Sequence, residues 1–243
     1  MRQAVSIRGD SGESRVHFIP ICGQTFVADV SGALFWPNKR TLVIADLHLE
    51  KGSAFAAKGQ LLPPYDTRET LSRLTTVIDK FDARTVISLG DSFHDVEALS
   101  RMAGDDLRRL EALLEHRNWI WVSGNHDARS AGQLGGDMTD KLEIGNLVFR
   151  HEPQREKIAY EVAGHLHPAA KMSIRGHGVR RPCFVGNGRR LVLPAFGSFA
   201  GGLNVLNSAF DCLFGADGFT VWMRGDRSLF PVSRRLLRPD RSA

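Results

Sequence analysis

The chain has 243 residues, 42% of them hydrophobic and 24% charged, with 32 Lys and Arg against 27 Asp and Glu and a formal net charge of +5. This is ordinary globular composition, and the length suits one domain with a sizeable core. No apolar run reaches the roughly 18 residues that cross a bilayer, and the first six residues lead into no signal-peptide core, so a cytoplasmic protein without a membrane partner is expected.

Taken in order, the chain opens with strand-like stretches at 16–21, 25–30 and 41–45. Asp66-Thr67-Arg68-Glu69 then reads as a capping-box helix start, followed by Leu71, Leu74, Ile78 and Phe81 at helical spacing. A strand at 85–89 precedes a second helix carrying Leu107, Leu110, Leu113 and Leu114. Further strands follow at 119–123, 147–150, 159–163, 191–194 and 219–223, short and rich in Val and Ile. Strand–helix–strand–helix–strand followed mainly by strands predicts a mixed α/β sandwich. With no repeat or linker, a single domain over 1–243 is expected, and the arginine-bearing stretch 234–243 reads as a frayed basic tail. Cys22, Cys183 and Cys212 are scattered, which argues against a disulfide framework or structural zinc, and all three read as buried or half-buried.

The chemistry gathers at strand ends. The strand at 41–45 runs into Asp46-Leu47-His48, where residues i and i+2 share a face and offer a carboxylate and an imidazole to one ion. The strand at 85–89 runs into Gly90-Asp91, and that at 119–123 into Gly124-Asn125-His126-Asp127. Parallel strands set such residues side by side at their carboxyl ends, where α/β proteins bind ligands. His151 ends another strand, and Gly164-His165-Leu166-His167 repeats the i, i+2 geometry with two imidazoles. Any one of these has a bland explanation as a cap or packed histidine, but the ordered set makes coincidence improbable.

That ordered set resembles the calcineurin-like metallophosphoesterases. The resemblance implies a four-layer α/β/β/α sandwich with two divalent ions at the strand ends. Asp46, His48, Asp91 and His167 would hold one ion, and Asp91, Asn125, His151 and His165 the other, with Asp91 bridging. Mixed oxygen and imidazole donors suit Mn, Fe or Zn, with Mn the first choice. Two such ions clamp a phosphoryl group and activate water. His126 would face the leaving group, and Asp127 either orients it or caps a turn.

Longer segments narrow the match: Asp46-Leu47-His48-Leu49-Glu50-Lys51-Gly52-Ser53, Leu62-Pro63-Pro64-Tyr65-Asp66-Thr67, and Pro194-Ala195-Phe196-Gly197-Ser198-Phe199 with Gly201-Gly202-Leu203-Asn204. Together they look like the bacterial ligase-associated DNA damage response endonucleases, the PdeM type. This implies a phosphodiesterase acting on DNA in repair, in functional association with a ligase and a helicase. Gly90-Asp91-Ser92-Phe93-His94 resembles the G-D-x-F-H of double-strand-break repair nucleases, which gives His94 a substrate contact. Arg150 and Lys51 are candidate phosphate contacts and Tyr65 a candidate base-stacking side chain; the bland readings are an exposed strand-end arginine, a surface ion pair and packing on its own helix. Two alternatives stand beside the nuclease: a phosphatase or small-molecule or cyclic-nucleotide phosphodiesterase on the same scaffold, and a protein-binding scaffold. An exposed edge strand near 16–30 could support a dimer.

Overall fold

The computed structural model describes residues 17–60, 62–125, 131–155, 160–215 and 218–240. One sheet has the order β1 (His17–Ile21), β2 (Gln24–Ala28), β3 (Leu34–Trp36), β4 (Thr41–Ile44), β5 (Thr85–Leu89), β6 (Asn118–Val122) and β7 (Asp137–Thr139). The pairings from β1 to β4 are antiparallel and those from β4 to β7 parallel. β4, β5 and β6 therefore deliver their carboxyl ends to one edge. The connection from β4 to β5 carries α1 (Lys51–Ala57) and α2 (Asp66–Phe81), and that from β5 to β6 carries α3 (Ala98–Arg101) and α4 (Gly104–Glu115).

The second sheet is built from β8 (Lys141–Ile144), β9 (Leu147–Arg150), β10 (Tyr160–Ala163), β11 (Pro168–Ile174), β12 (His177–Gly186), β13 (Arg190–Val192) and β14 (Leu203–Asn204). Its order is β14-β11-β12-β13-β10-β9-β8, extended from β12 through β15 (Thr220–Arg224) to β16 (Leu229–Val232). β10 lies parallel to both β9 and β13, so it too ends beside its neighbours' carboxyl ends. A further α-helix, α5 (Ser208–Phe214), follows β14.

Strand alternation sorts the buried side chains into three cores. Leu42, Ile44, Val86, Trp119 and Trp121 face Leu71, Leu74, Ile78 and Leu110 of α2 and α4. The opposite pleats, Val43, Ile87 and Leu89, meet Phe149, Val162, Phe184 and Leu191 between the sheets. Val185, Val192 and Val221 meet Phe210 and Leu213 of α5 on the far side. The result is the four-layer α/β/β/α sandwich. Among the described residues, no helix is long and apolar enough to cross a membrane.

Three expectations need correction. The capping box at Asp66 does not form: the helix cap is Tyr65 with no side-chain bond. Asp66 instead accepts the Gly52 N–H at 3.0 Å, and Thr67 Oγ1 accepts the Glu50 N–H at 2.8 Å, so the start of α2 ties down the loop after β4. The stretch from 234 is docked as far as it is described. Leu237 is buried, the Arg238 N–H donates to Lys171 O at 2.7 Å, and Arg180 pairs with Asp240 at 3.2 Å. Cys212 is exposed rather than half-buried.

β10 is anchored by a buried ion pair. Arg190 Nε donates to Glu161 Oε2 at 2.6 Å, and Glu161 Oε1 accepts the Gln154 N–H at 3.2 Å. Burial pushes the Glu161 carboxyl upward in pKa, against the pull of Arg190 and that N–H. Removing one partner strands the other charge. Glu161→Ala is therefore expected to lower unfolding free energy by about 3–5 kcal/mol, read from urea denaturation.

Candidate metal centre

The carboxyl ends of β4, β5, β6, β9 and β10 converge on one edge of the stacked sheets, and the backbone there is bent. Asp46 (φ 54°), His48 (44°), Asp91 (46°), His165 (68°) and His167 (44°) all sit in the left-handed region. They make up half of the ten described non-glycine residues with positive φ, at roughly 1–3 kcal/mol of strain each. Asp and His enter this region more readily than most side chains, yet five such bends gathered at the ends of neighbouring strands, all of them at potential metal donors, point to positions set by chemistry.

Main-chain bonds hold the bends in place. The Asp46 N–H donates to Gly90 O at 3.2 Å, and those of His48 and Leu49 donate to Asp91 O and Ser92 O at 2.9 Å. The two loops are thus zipped together, and the His94 N–H closes the zipper on Leu49 O at 2.9 Å. Across the sheets, the His165 N–H donates to the buried Asp46 carboxylate at 3.0 Å, and the Gly164 N–H to His151 O at 2.9 Å.

The side chains form two groups, Asp46 with His48 and His167, and Asp91 with His151 and His165. Within each group the candidate donor atoms lie within 4.8 Å of one another. His48 Nε2 and His167 Nε2 are 3.2 Å apart, and His165 Nδ1 and His151 Nε2 are 3.1 Å apart. Asp46 Oδ1 lies 3.4 Å from His167 Nε2, and Asp91 Oδ1 lies 3.5 Å from His151 Nε2. Imidazole nitrogens facing each other at such distances match neighbouring corners of a coordination shell with bonds of about 2.1 Å. His151 Nδ1 is 2.9 Å from Leu89 O, which fixes its proton there and leaves Nε2 free to donate its lone pair inward. The donor set fits a borderline divalent ion in each group.

The two groups adjoin. Asp46 Oδ1 is 3.7 Å from His151 Nδ1, and the Asp91 carboxylate raises the pKa of both His48 and His167. Burial nevertheless dominates at His48 and pulls it down to about 4, so this imidazole is neutral at pH 7 and able to ligate. At His167 burial also pulls downward, but the hydrogen bond and charge of Asp46, aided by Asp91, prevail and raise it.

Of the other sequence-predicted residues, Asn125 donates its N–H to Asp91 Oδ1 at 3.0 Å, beside the second group. The His94 ring lies 6.1 Å from that of His48 and 5.7 Å from that of Phe55. Lys51 donates to Phe199 O at 3.1 Å, and its charge reaches His48. Tyr65 is 62% exposed. Arg150 is not the exposed strand-end residue expected: its side chain is largely buried, with Nε 3.4 Å from Glu161 Oε1. His126 and Asp127 lie outside the described residues. Sequence reasoning missed Arg73 and Arg224, which border the cleft beside His167. Arg73 stands within the predicted helix and Arg224 one residue past a predicted strand, so neither carried a motif signal.

A four-layer sandwich with adjacent carboxylate–imidazole groups at its strand ends defines a metal-dependent phosphoesterase. The chain belongs to the calcineurin-like phosphoesterases, whose family model matches residues 39–187. Among solved structures it is similar to the Pseudomonas putida nuclease MPE, at 26% identity and a TM-score of 0.71 over 90% of this chain and all of that one. A looser likeness, at 13% identity and a TM-score of 0.40, is to YfcE, a phosphoesterase from E. coli, over 79% of this chain and 97% of that one. No curated protein matches the chain.

Proposed function

We propose that this protein is a DNA phosphodiesterase of bacterial repair that works with two divalent ions, manganese first among them. The observation that carries the reading is the pair of adjoining donor groups on a chain that resembles a nuclease over 90% of its length. Asp46, His48 and His167 would hold one ion and Asn125, His151 and His165 the other, with Asp91 between them. Bound there, such a pair neutralises phosphate charge and lowers the pKa of water.

The chain's own residues prepare the remainder. Leu89 O holds the proton of His151 on the outward nitrogen, and the His165 N–H orients the Asp46 carboxylate. His94 stands over the first group with its backbone fixed to Leu49, placed to donate a hydrogen bond to a phosphate oxygen. His126 would protonate the leaving group, oriented by Asp127. Tyr65, on its Pro63-Pro64 loop, offers an aromatic face to a base. Action beside a ligase and a helicase, a cytoplasmic location and a single domain over the chain complete the proposal.

The test starts from chelator-treated protein given Mn and offered a model phosphodiester, a model monoester and single-stranded DNA. Turnover of diester and DNA is expected, and His94→Ala should lower kcat for the diester about 10²-fold. Turnover of the monoester alone would assign the protein to the phosphatases and remove the case for DNA.

A further inference from the structure

Two arginines beside His167 have no task in the chemistry above. A cleft of about 280 Å³ opens at His167 and is bordered by Arg73, Arg181, Arg224 and the small residues Gly197, Ser198 and Gly201. A groove of about 370 Å³ shares Arg73 and Arg224 with it and continues to Lys80 and Asp29. The two run on from a side chain of the metal centre as one basic track.

Its acids are already engaged. Asp29 pairs with Lys80, and Asp226 sits at the exposed rim 3.7 Å from Arg181. Arg73 lies over the Phe196 ring at 4.8 Å, donates to Phe196 O and, among the described residues, pairs with no acid but the exposed Glu69, at 3.9 Å. Among the described residues its Nε has no hydrogen-bond partner. Arg224 donates Nε to Val30 O at 2.7 Å and makes no ion pair among the described residues. A guanidinium offers five N–H donors, so most of this capacity is unused.

The pair is held at a cost. Burial lowers the pKa of both side chains, and the like charge of Arg73 helps bring Arg224 down to about 10. Both remain cationic at pH 7. The charges that oppose this repulsion are Asp29, already paired with Lys80, and the exposed Glu69, so an anion lying across both guanidinium groups would offset it further.

We propose that this cleft binds a second phosphate of the substrate, the backbone phosphodiester adjoining the reacting one on a nucleic-acid strand, with Arg73 and Arg224 as its ligands. The inference rests on the phosphodiesterase reading of the metal centre and extends it along the strand. It also gives a role to the Pro194–Asn204 motif, numbered 194–204 in this chain, whose Gly197, Ser198 and Gly201 keep the cleft open. Phe196 and Gly197 are pinned to the metal-centre loop through Ala45 O and Asp46 O at 2.8 and 3.1 Å.

The experiment uses Arg224→Gln, with the exposed Arg109→Gln as a control for net charge. Anisotropy of a labelled twelve-nucleotide single strand is followed against salt on chelator-treated full-length protein. Arg224→Gln should weaken binding about tenfold, as loss of one charged contact does. It should also flatten the slope of log K against log salt by about 0.7, with no change in Arg109→Gln. On Mn-loaded protein, the ratio of kcat/KM for the oligonucleotide over that for bis(p-nitrophenyl) phosphate should fall about tenfold. An equal effect with and without a 5′-phosphate supports a backbone phosphate, and an effect confined to the 5′-phosphorylated strand overturns that assignment in favour of a terminal one. Arg224-dependent binding without hydrolysis would support the cleft and sink the phosphodiesterase reading. Hydrolysis indifferent to Arg224 would do the reverse.

Discussion

Asp91→Ala is expected to lower hydrolysis of a model diester by about four orders of magnitude or more, equivalent to over 5 kcal/mol of barrier. Asp91 is the residue on which the two donor groups turn. Its Oδ1 is 3.5 Å from His151 Nε2, and its charge acts on His48 and His167 in the other group. It also accepts the Asn125 N–H at 3.0 Å, so the substitution frees the loop after β6 as well. The fold should survive, because Asp91 lies past the end of β5 rather than within the packed strand. Manganese uptake and steady-state rates decide the matter: full uptake with a rate within tenfold of the parent would remove Asp91 from the site.

Gly124→Ala should be nearly as damaging, for a steric reason. A Cβ at this position would lie 2.2 Å from Asp91 N and 2.5 Å from Asp91 Oδ1. The obstacle is backbone, so either the loop after β6 or Asp91 itself must shift by an ångström or so. A displacement of that size costs about 10²-fold in rate, and overpacking adds about 1–3 kcal/mol of destabilisation. Gly145→Ala, in the β8–β9 turn, supplies the contrast. Gly145 has φ 61° but nothing within 4 Å of its added Cβ, so stability drops while the rate holds. Equal rates in the two variants would refute the steric account.

Much of this architecture was readable from the residues because it depends on local pattern. The buried strands at 41–45, 85–89 and 119–123 are runs of Val, Ile, Leu and Trp, and their ends announce themselves with Gly, Asp, Asn and His. β11 and β12 escaped because Lys171, Ser173, Arg180, Arg181 and Pro182 interrupt the apolar alternation on half-exposed strands. Their hairpin did carry a signal: Arg175-Gly176, both at positive φ, forms its two-residue turn. Asp66 misled because its i to i+3 spacing mimics a capping box, whereas a tertiary partner, the Gly52 N–H, captured its carboxylate. Arg150 misled in the same way: position at a strand end suggested solvent, and Glu161 of the neighbouring strand drew it inward. The cleft arginines were invisible because 73 and 224 meet only through the stacking of the two sheets.

We propose that the two donor groups form one centre holding two ions in contact with a shared carboxylate. Electron paramagnetic resonance during titration of Mn into chelator-treated protein tests this most directly. Two equivalents should bind per chain and, as the second binds, the six-line signal of an isolated ion should give way to the broad signal of a coupled pair. A single equivalent, or two that keep the isolated-ion signal throughout, would contradict it.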